Sequence, residues 1–201
     1  MLHPQNNGVK EVIINTAREI FARFGFKKTT MDEIARATHK AKSSIYHYFA
    51  SKEEIFKSVI EKESNTLKEE ITKAINQENT PQQKLRAYVL TRMRILNELV
   101  NFYQALKDDY LKHYSYIEKL REKHYNDEIK IMENILWEGK NDGIFLIDNV
   151  ELTAHAILIA LKGFEYPWII EKKIPYHGTH IDKETALNSL LDVLFYGIVK
   201  K

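Results

Sequence analysis

Residues 43–56 read SSIYHYFASKEEIF and contain the signals that organise the N-terminal part of the chain. Ser51 and Glu54 have the spacing of a capping box, in which a serine hydroxyl and a glutamate carboxylate each satisfy a free backbone N–H at a helix start. The box begins a new helix, so the preceding residues, from about Ala41 to Tyr48, form a separate short helix. The stretch therefore predicts two helices joined by a tight turn.

Two further helices precede this stretch. Thr30 and Glu33 form another capping box, which starts a short helix that ends near Ala37. Upstream of it, apolar residues at spacings of three and four predict an amphipathic helix, and Gly25 is placed to end it. These apolar residues are Ile13, Ala17, Ile20, Phe21 and Phe24. Short helices joined by tight turns are a helix-turn-helix layout.

The remainder of the chain also predicts helices, without strand-like alternation. We expect an all-α protein of about nine helices in two domains, residues 1–52 and 53–201. The expected later helices are Lys52 to about Asn76, Pro81 to Leu99, two short pieces from Asn101 to His113, Ser115 to Gly139, Val150 to about Lys172, and Asp182 to Val199.

Composition excludes several classes of protein. The 201 residues include no Cys, which removes disulfides and thiolate chemistry, and no apolar run has the length of a membrane span. We expect a cytoplasmic protein without membrane contact, cofactor or metal. Residues 1–58 carry ten Lys or Arg and six Asp or Glu, a basic excess that fits phosphate binding but that a solvated surface would also explain.

The last two helices have unusually wide apolar faces. The stretch Ala156–Leu161 has no polar side, so we expect it to be buried all round. Pairing both helices with their copies in a second subunit would bury these faces, whereas a monomeric core is the alternative. We therefore expect a homodimer formed through the last two helices. The stripe on the final helix consists of Leu187, Leu190, Leu191, Leu194 and Ile198, widened by Val193 and Phe195.

Residues 17–56, AREIFARFGFKKTTMDEIARATHKAKSSIYHYFASKEEIF, resemble the DNA-binding domain of the tetracycline-repressor (TetR/AcrR) family of bacterial transcription regulators. The matching motifs are A-x-x-x-F-x-x-x-G-F from Ala17, T-x-x-x-I-A from Thr30, I-Y-x-Y-F from Ile45 and S-K-E-E from Ser51. The resemblance implies an N-terminal helix-turn-helix DNA-binding domain whose helix 42–48 enters the major groove. It also implies a C-terminal effector-binding and dimerisation domain.

The resemblance carries DNA-binding roles to seven positions. Lys42, Ser43 and Ser44 begin the recognition helix and match positions that reach base edges. Tyr46 and His47 match contacts to phosphates or bases. Thr30 and Lys52 match contacts to backbone phosphates. By contrast, we assign Ile45, Tyr48 and Phe49 to the core.

The turn before the recognition helix departs from the family pattern. His39 stands where Gly is usual, Lys40 where an aliphatic residue is usual, and Ala41 where a Ser or Thr cap is common. We expect His39 to adopt a positive φ at some cost relative to Gly. The uncapped helix after it is expected to fray when no DNA is bound.

The resemblance further implies a small-molecule pocket among the C-terminal helices. The candidate ligand-binding residues are Phe102, Tyr103, Trp137, His155 and Phe164, although aromatic residues at helical spacing also serve as ordinary core. Pro167 is expected to kink the helix that begins at Val150.

Three functions compete at this point. The first is a DNA-binding transcriptional regulator, a ligand-responsive repressor that binds a palindromic operator as a homodimer. The second is a structural or partner-binding protein of the same fold that uses DNA without a small-molecule effector. The third is an enzyme, which we do not expect, because the sequence lacks a nucleophile with its base, a carboxylate pair with a clear role and a phosphate-binding Gly-rich loop.

Overall fold

The computed structural model describes residues 4–105, 107–170, 174–176 and 179–198; its side chains are described except at 4–7, 96–118, 120, 121, 123, 164–181, 183, 197 and 198. The described part has eight helices and two short strands, which confirms the all-α class. They are α1 Pro4–Phe24, α2 Met31–Ala37, α3 Lys42–Tyr48, α4 Lys52–Asn76, α5 Pro81–Ala105, α6 Lys107–Asn141, α7 Val150–Ile170, β1 Ile174–Tyr176, β2 Thr179–Ile181 and α8 Lys183–Ile198.

The described residues form eight helices, close to the number of about nine that was predicted. The two short pieces expected between Asn101 and His113 are absent there, since α5 continues to Ala105 and α6 begins at Lys107. Residues 82–138 contain neither Gly nor Pro, so no residue in this stretch forces a helix to end. The polar residues of this stretch are accommodated within long helices.

The prediction that strands are absent was wrong for one segment. Ile174–Tyr176 and Thr179–Ile181 pair antiparallel, with Ile174 opposite Ile181 and Tyr176 opposite Thr179. Strands of three residues are too short to show the alternation that identifies a strand in a sequence. The sequence had predicted no helix between about Lys172 and Asp182.

The chain forms two compact units, which we call the first and the second unit. The first unit comprises Met1–Asn65 and Asn101–Glu122, and the second comprises Thr66–Val100 and Lys123–Lys201. The predicted boundary after residue 52 is not a helix end, because α4 begins there and continues to Asn76. The division into domains 1–52 and 53–201 stays a prediction.

An aromatic cluster and two ion pairs, Arg18–Glu63 and Lys62–Glu11, fix α1 against α4 in the first unit. The ring of Phe21 lies 5.5 Å from the rings of both Phe26 and Phe56, centroid to centroid. Arg18 Nε donates to Glu63 Oε1 at 3.0 Å, and the Glu63 side chain is only 5% exposed. These contacts fix α1 to α4 and to the segment that leads into α2.

The second unit is built on the apolar faces of α5, α6, α7 and α8. The main buried apolar residues are Leu85, Val89, Met93, Met132, Ile135, Leu136, Ala154, Ile157, Leu158, Leu161, Leu187 and Leu191. Gly139 lies where α6 meets the following loop, and a Cβ at this position would come within 2.1 Å of the Phe145 ring. This glycine is therefore required for close packing.

The prediction that 156–161 is buried on every side is wrong for the single chain. Ile157, Leu158 and Leu161 are buried, but Ile159 is 63% exposed. With Leu152, also exposed, it lies on a stripe that includes Ala156 and Gly163 and follows one face of α7. On α8, Leu187 and Leu191 are buried, whereas Val193 and Tyr196 are exposed.

In the part of the chain that the structure describes, no helix has the length and apolar character needed to cross a membrane.

Candidate nucleic-acid interface

The helix α3 has one buried and one exposed face. Ile45 is completely buried, and Phe49, the residue after the helix, is 1% exposed. The other side carries exposed polar side chains, those of Ser43, Ser44, Tyr46 and His47. The short helix is therefore anchored by apolar residues while it presents hydroxyl, phenol and imidazole groups to solvent, all of which can bond to phosphates or base edges.

Tyr48 differs from its prediction as a core residue. Its side chain is half-buried, and its ring meets that of His47 edge-on at a centroid distance of 5.1 Å. The aromatic run thus divides into a buried residue, a half-buried residue and exposed rings, as expected for seven residues that make about two turns of a helix.

Lys42, the first residue of α3, is tied to α2. Its Nζ lies 2.9 Å from Asp32 Oδ1, and both side chains are 57% exposed. The hydrogen bond to Asp32, together with its charge, raises the pKa of Lys42. The ammonium is thus available to solvent but already has an anionic partner.

Thr30 is the N-cap of α2, and the predicted capping box is confirmed. Glu33 N donates to Thr30 Oγ1 at 3.2 Å, and Thr30 N donates to Glu33 Oε2 at 2.7 Å. The bonds from the Thr30 backbone and hydroxyl lower the pKa of Glu33. This box fixes the start of the helix that precedes the turn.

The second predicted box has a different donor from the one expected. Glu54 N donates to Ser51 Oγ at 3.3 Å, but the Glu54 carboxylate accepts from Ala50 N at 2.6 Å. The carboxylate reaches one residue further back than the capping box requires. Ser51 and Glu54, the two residues that the sequence indicated, therefore still accept hydrogen bonds from free backbone N–H groups at the start of α4.

Lys52, at the start of α4, binds the chain between α1 and α2. Its Nζ donates to the carbonyls of Phe26 at 2.8 Å and Thr29 at 2.9 Å, and it lies 4.4 Å from the centroid of the Phe26 ring. The sequence did not indicate these bonds, which join residues 26 and 23 positions apart. A phosphate contact by Lys52 stays a prediction.

The unusual turn between α2 and α3 closes with a Schellman motif. His39 has φ 53°, the positive value expected for this position. His39 N donates to Arg36 O and Lys40 N donates to Ala35 O, which together satisfy the last carbonyls of α2. Ala41 then begins α3 without a side-chain cap, as its sequence requires.

The ligand-binding candidates are distributed over the second half of the chain. Trp137 is 45% exposed, and Lys140 Nζ lies 5.3 Å from its ring. His155 is exposed and its Nδ1 is 3.2 Å from the Tyr125 hydroxyl. Phe102, Tyr103 and Phe164 lie on α5 and α7, but their side chains are outside the described part of the structure. Their place in a common pocket stays a prediction, as does the kink at Pro167.

A buried polar network in the second unit was missed at the sequence level. Glu128 Oε2 accepts from Arg92 Nε at 3.0 Å and from the Tyr88 hydroxyl at 3.1 Å. The Arg92 side chain is 4% exposed, and burial raises the pKa of Tyr88 well above its ordinary value. Only the i, i+4 spacing of Tyr88 and Arg92 was visible in the sequence, since their partner lies on another helix.

Comparison with known proteins agrees with this geometry. A family model described as bacterial regulatory proteins of the tetR family matches residues 13–59. The HTH-type transcriptional regulator QacR of Staphylococcus aureus is 23% identical over 77% of this chain and 83% of its own length. A transcriptional regulator from Cytophaga hutchinsonii is 28% identical, with a TM-score of 0.76 over 94% of this chain and 98% of that one.

One further structure shows the same fold with a bound molecule. It is the transcriptional regulator FadR from Bacillus subtilis in complex with stearoyl-CoA, which has a TM-score of 0.74, 22% identity and coverage of 93% of this chain and 98% of that one. The fold and the exposed polar face of α3 define a helix-turn-helix DNA-binding protein. Residues 13–59 match the model of the tetR family, and the protein is a DNA-binding transcriptional regulator.

Proposed function

We propose that the protein is a cytoplasmic repressor that binds a palindromic operator as a homodimer and leaves it when a small molecule binds the second unit. The observation that carries the proposal is the division of α3 between buried apolar anchors and an exposed polar face. A recognition helix needs both properties, because its side chains must reach the groove while its backbone is held by the domain.

We assign the seven predicted residues to two kinds of contact. Lys42, Ser43 and Ser44 reach base edges from the first turn of α3, while Tyr46 and His47 contact phosphates or bases. Thr30 and Lys52 contact phosphates next to the groove. Support comes from the exposure of the α3 side chains and from the position of Thr30 at a helix start.

The interface is tested by Tyr46→Phe and Ser44→Ala, which remove hydroxyl groups from exposed positions. Each variant should weaken binding to a duplex selected by the wild-type protein by about 1 to 3 kcal/mol if the lost bond is to a base. Tyr125→Phe in the second unit is the matched control. Equal affinities for all three variants and the wild type would refute the assignment, and a wild-type protein that protects no palindromic sequence would refute the operator.

The homodimer is proposed to form through α7 and α8. Its support is the exposed apolar stripe of α7, Leu152 and Ile159, together with Val193 and Tyr196 of α8. Pairing with a second copy would remove this apolar surface from water, which is the usual driving force of an obligate interface. A C2 pair also supplies two recognition helices for a palindrome.

Sedimentation velocity of Ile159→Asp tests this interface. The variant should shift the protein from dimer to monomer, since a charge at the centre of an apolar interface has no partner. Leu90→Asp is a suitable control, because Leu90 is an exposed leucine on α5. Dimers that are equally stable in both variants would exclude α7 as the contact.

An effector is proposed to bind near Trp137 and His155, with Phe102, Tyr103 and Phe164 as further candidates. The partly exposed indole and the imidazole paired with Tyr125 support ligand access to the second unit. Because a protein of the same fold was solved with stearoyl-CoA, we choose that compound as the first probe. Binding should raise the melting temperature and weaken operator affinity by about 5- to 150-fold. Failure of acyl-CoA and a wider compound panel to alter either property would favour the alternative, a DNA-bound partner protein without effector.

A further inference from the structure

The candidate interface contains an acidic side chain that has no evident place in DNA binding. Asp32 lies in the first turn of α2, two residues after Thr30, and its carboxylate bonds to the ammonium of Lys42 at the start of α3. Both Thr30 and Lys42 belong to the proposed DNA contacts. A DNA phosphate that approaches Lys42 must therefore approach Asp32 as well.

The two acids of this turn have different partners. Glu33 accepts from both the backbone and the hydroxyl of Thr30, which makes it part of the α2 cap. Asp32 has its described ion pair with Lys42, a residue ten positions further along and on the next helix. Asp32 is thus the acid whose partner is a proposed DNA-binding side chain.

The solvent exposure of the Asp32–Lys42 ion pair determines how easily DNA can displace the carboxylate. An ion pair whose side chains are each 57% exposed contributes at most about 1 kcal/mol, so a DNA oxygen in a suitable position can displace the carboxylate. A carboxylate is also repelled by phosphates across a few ångströms. Asp32 can therefore oppose DNA contacts that are poorly placed without preventing those that are well placed.

We propose that Asp32 is a specificity-determining residue, which holds the Lys42 ammonium in the free protein and on DNA of unrelated sequence. On the operator, a correctly placed acceptor takes over the ammonium. Asp32 thereby lowers non-specific affinity more than operator affinity. The inference rests on the proposed interface, in which Lys42 meets DNA.

The test compares Asp32→Asn with Asp127→Asn. Asp127 forms an ion pair of the same kind, with Oδ2 at 2.8 Å from Lys68 Nζ, on helices of the second unit. Both variants remove one negative charge and one exposed pair. Affinities are measured by fluorescence anisotropy on a random-sequence duplex and on a duplex selected by the wild-type protein, from about 50 to 200 mM salt.

Asp32→Asn should raise affinity for the random duplex by about fivefold, and the salt dependence should steepen by up to about 0.9 in log–log slope, because Lys42 gains a phosphate contact. Its effect on the selected duplex should be smaller, with an unchanged slope. Asp127→Asn should leave the ratio of the two affinities as in the wild type. In a Lys42→Gln background, Asp32→Asn should have a much smaller effect, equal on both duplexes, since no ammonium remains to be released and only the general repulsion between the carboxylate and the phosphates is removed.

Three results would overturn the inference: equal effects of Asp32→Asn and Asp127→Asn, an equal gain on both duplexes, or a gain that is undiminished in the Lys42→Gln background. Circular dichroism checks that each variant is folded, and Asp32→Ser repeats the measurement with a different uncharged side chain. A wild-type protein that selects no sequence would instead refute the DNA interface itself. The failure of the inference and the failure of the function are therefore distinguishable.

Discussion

Thr30 in the first unit and Thr80 in the second begin their helices with the same device. The Thr80 hydroxyl accepts from Gln83 N at 3.3 Å, and Gln83 Oε1 accepts from Thr80 N at the same distance, which repeats the Thr30–Glu33 arrangement. The two units differ in how their buried charges are paired. In the first, Glu63 meets a half-exposed Arg18, whereas in the second both Arg92 and Glu128 are largely buried. The two helix starts are thus stabilised in the same way by residues close in sequence. The buried charges of the second unit, by contrast, are paired between two helices.

The largest effect should come from breaking the buried pair. Glu128→Ala removes an acceptor that Arg92 and Tyr88 share and should lower the free energy of unfolding by about 3 to 5 kcal/mol, because a buried ion pair loses one of its two members. Glu138→Ala is the control, since its pair with Lys84 is more exposed and should contribute at most about 1 kcal/mol. Urea denaturation measures both. Equal losses would show that burial does not distinguish the two pairs.

A methyl group at Gly139 should have the next largest effect. Gly139→Ala places a Cβ against the Phe145 ring and should destabilise the second unit by about 1 to 3 kcal/mol through overpacking. Gly8→Ala in α1 is the matched control, since nothing lies within 4 Å of its added Cβ. The control should gain up to about 1 kcal/mol from helix propensity. Thermal unfolding that is unchanged or improved in both variants would show that the ring moves aside at no cost.

Replacing the two matched caps separates stability from DNA binding. Thr30→Val and Thr80→Val should each cost about 0.5 to 2 kcal/mol of unfolding free energy, because each removes a side-chain cap. Only Thr30→Val should also weaken operator binding, since Thr80 belongs to the second unit. Denaturation and anisotropy measured on the same samples give both quantities. A similar loss of DNA affinity in both variants would mean that it follows from general destabilisation.

The smallest effect, and a stabilising one, is expected at the turn. His39→Gly removes the cost of a positive φ on a residue with a Cβ and should raise the unfolding free energy by about 0.5 to 1 kcal/mol. His39→Ala keeps a Cβ and should give no gain. Calorimetry resolves a difference of this size through the melting temperature. If alanine stabilised as much as glycine, backbone strain would not be the cause.

The sequence predicted those features that depend on neighbouring residues. Thr30 with Glu33, Gly25 and the positive φ of His39 were correct because caps and turns are set by side chains three or four positions away. The Thr80–Gln83 box carries the same signal and was overlooked. The buried and exposed faces of α3 were also predicted, except for Tyr48, which is half-buried at the end of a helix of only about two turns.

Features that depend on distant residues were not predicted. The bonds from Lys52 to Phe26 and Thr29, and from Arg92 to Glu128, cross between elements, and a residue type alone does not indicate which partner a long side chain will find. Residues 101–113 were predicted as two short helical pieces, whereas α5 continues to Ala105 and α6 begins at Lys107. Three-residue strands carry too little pattern to be recognised at all.

The hydrogen bonds made by Lys52 join the two ends of the helix-turn-helix segment. Phe26 and Thr29 lie just before α2, and Lys52 lies just after α3, so both helices of the helix-turn-helix fall within the segment whose ends the ammonium joins. Hydrogen bonds of this kind keep the two ends of the segment together and so reduce its conformational entropy, as loop closure does. A chimaera that moved only α3 to another scaffold would therefore lose the bonds that join the two ends of this segment, whereas one that moved residues 26–52 would keep them.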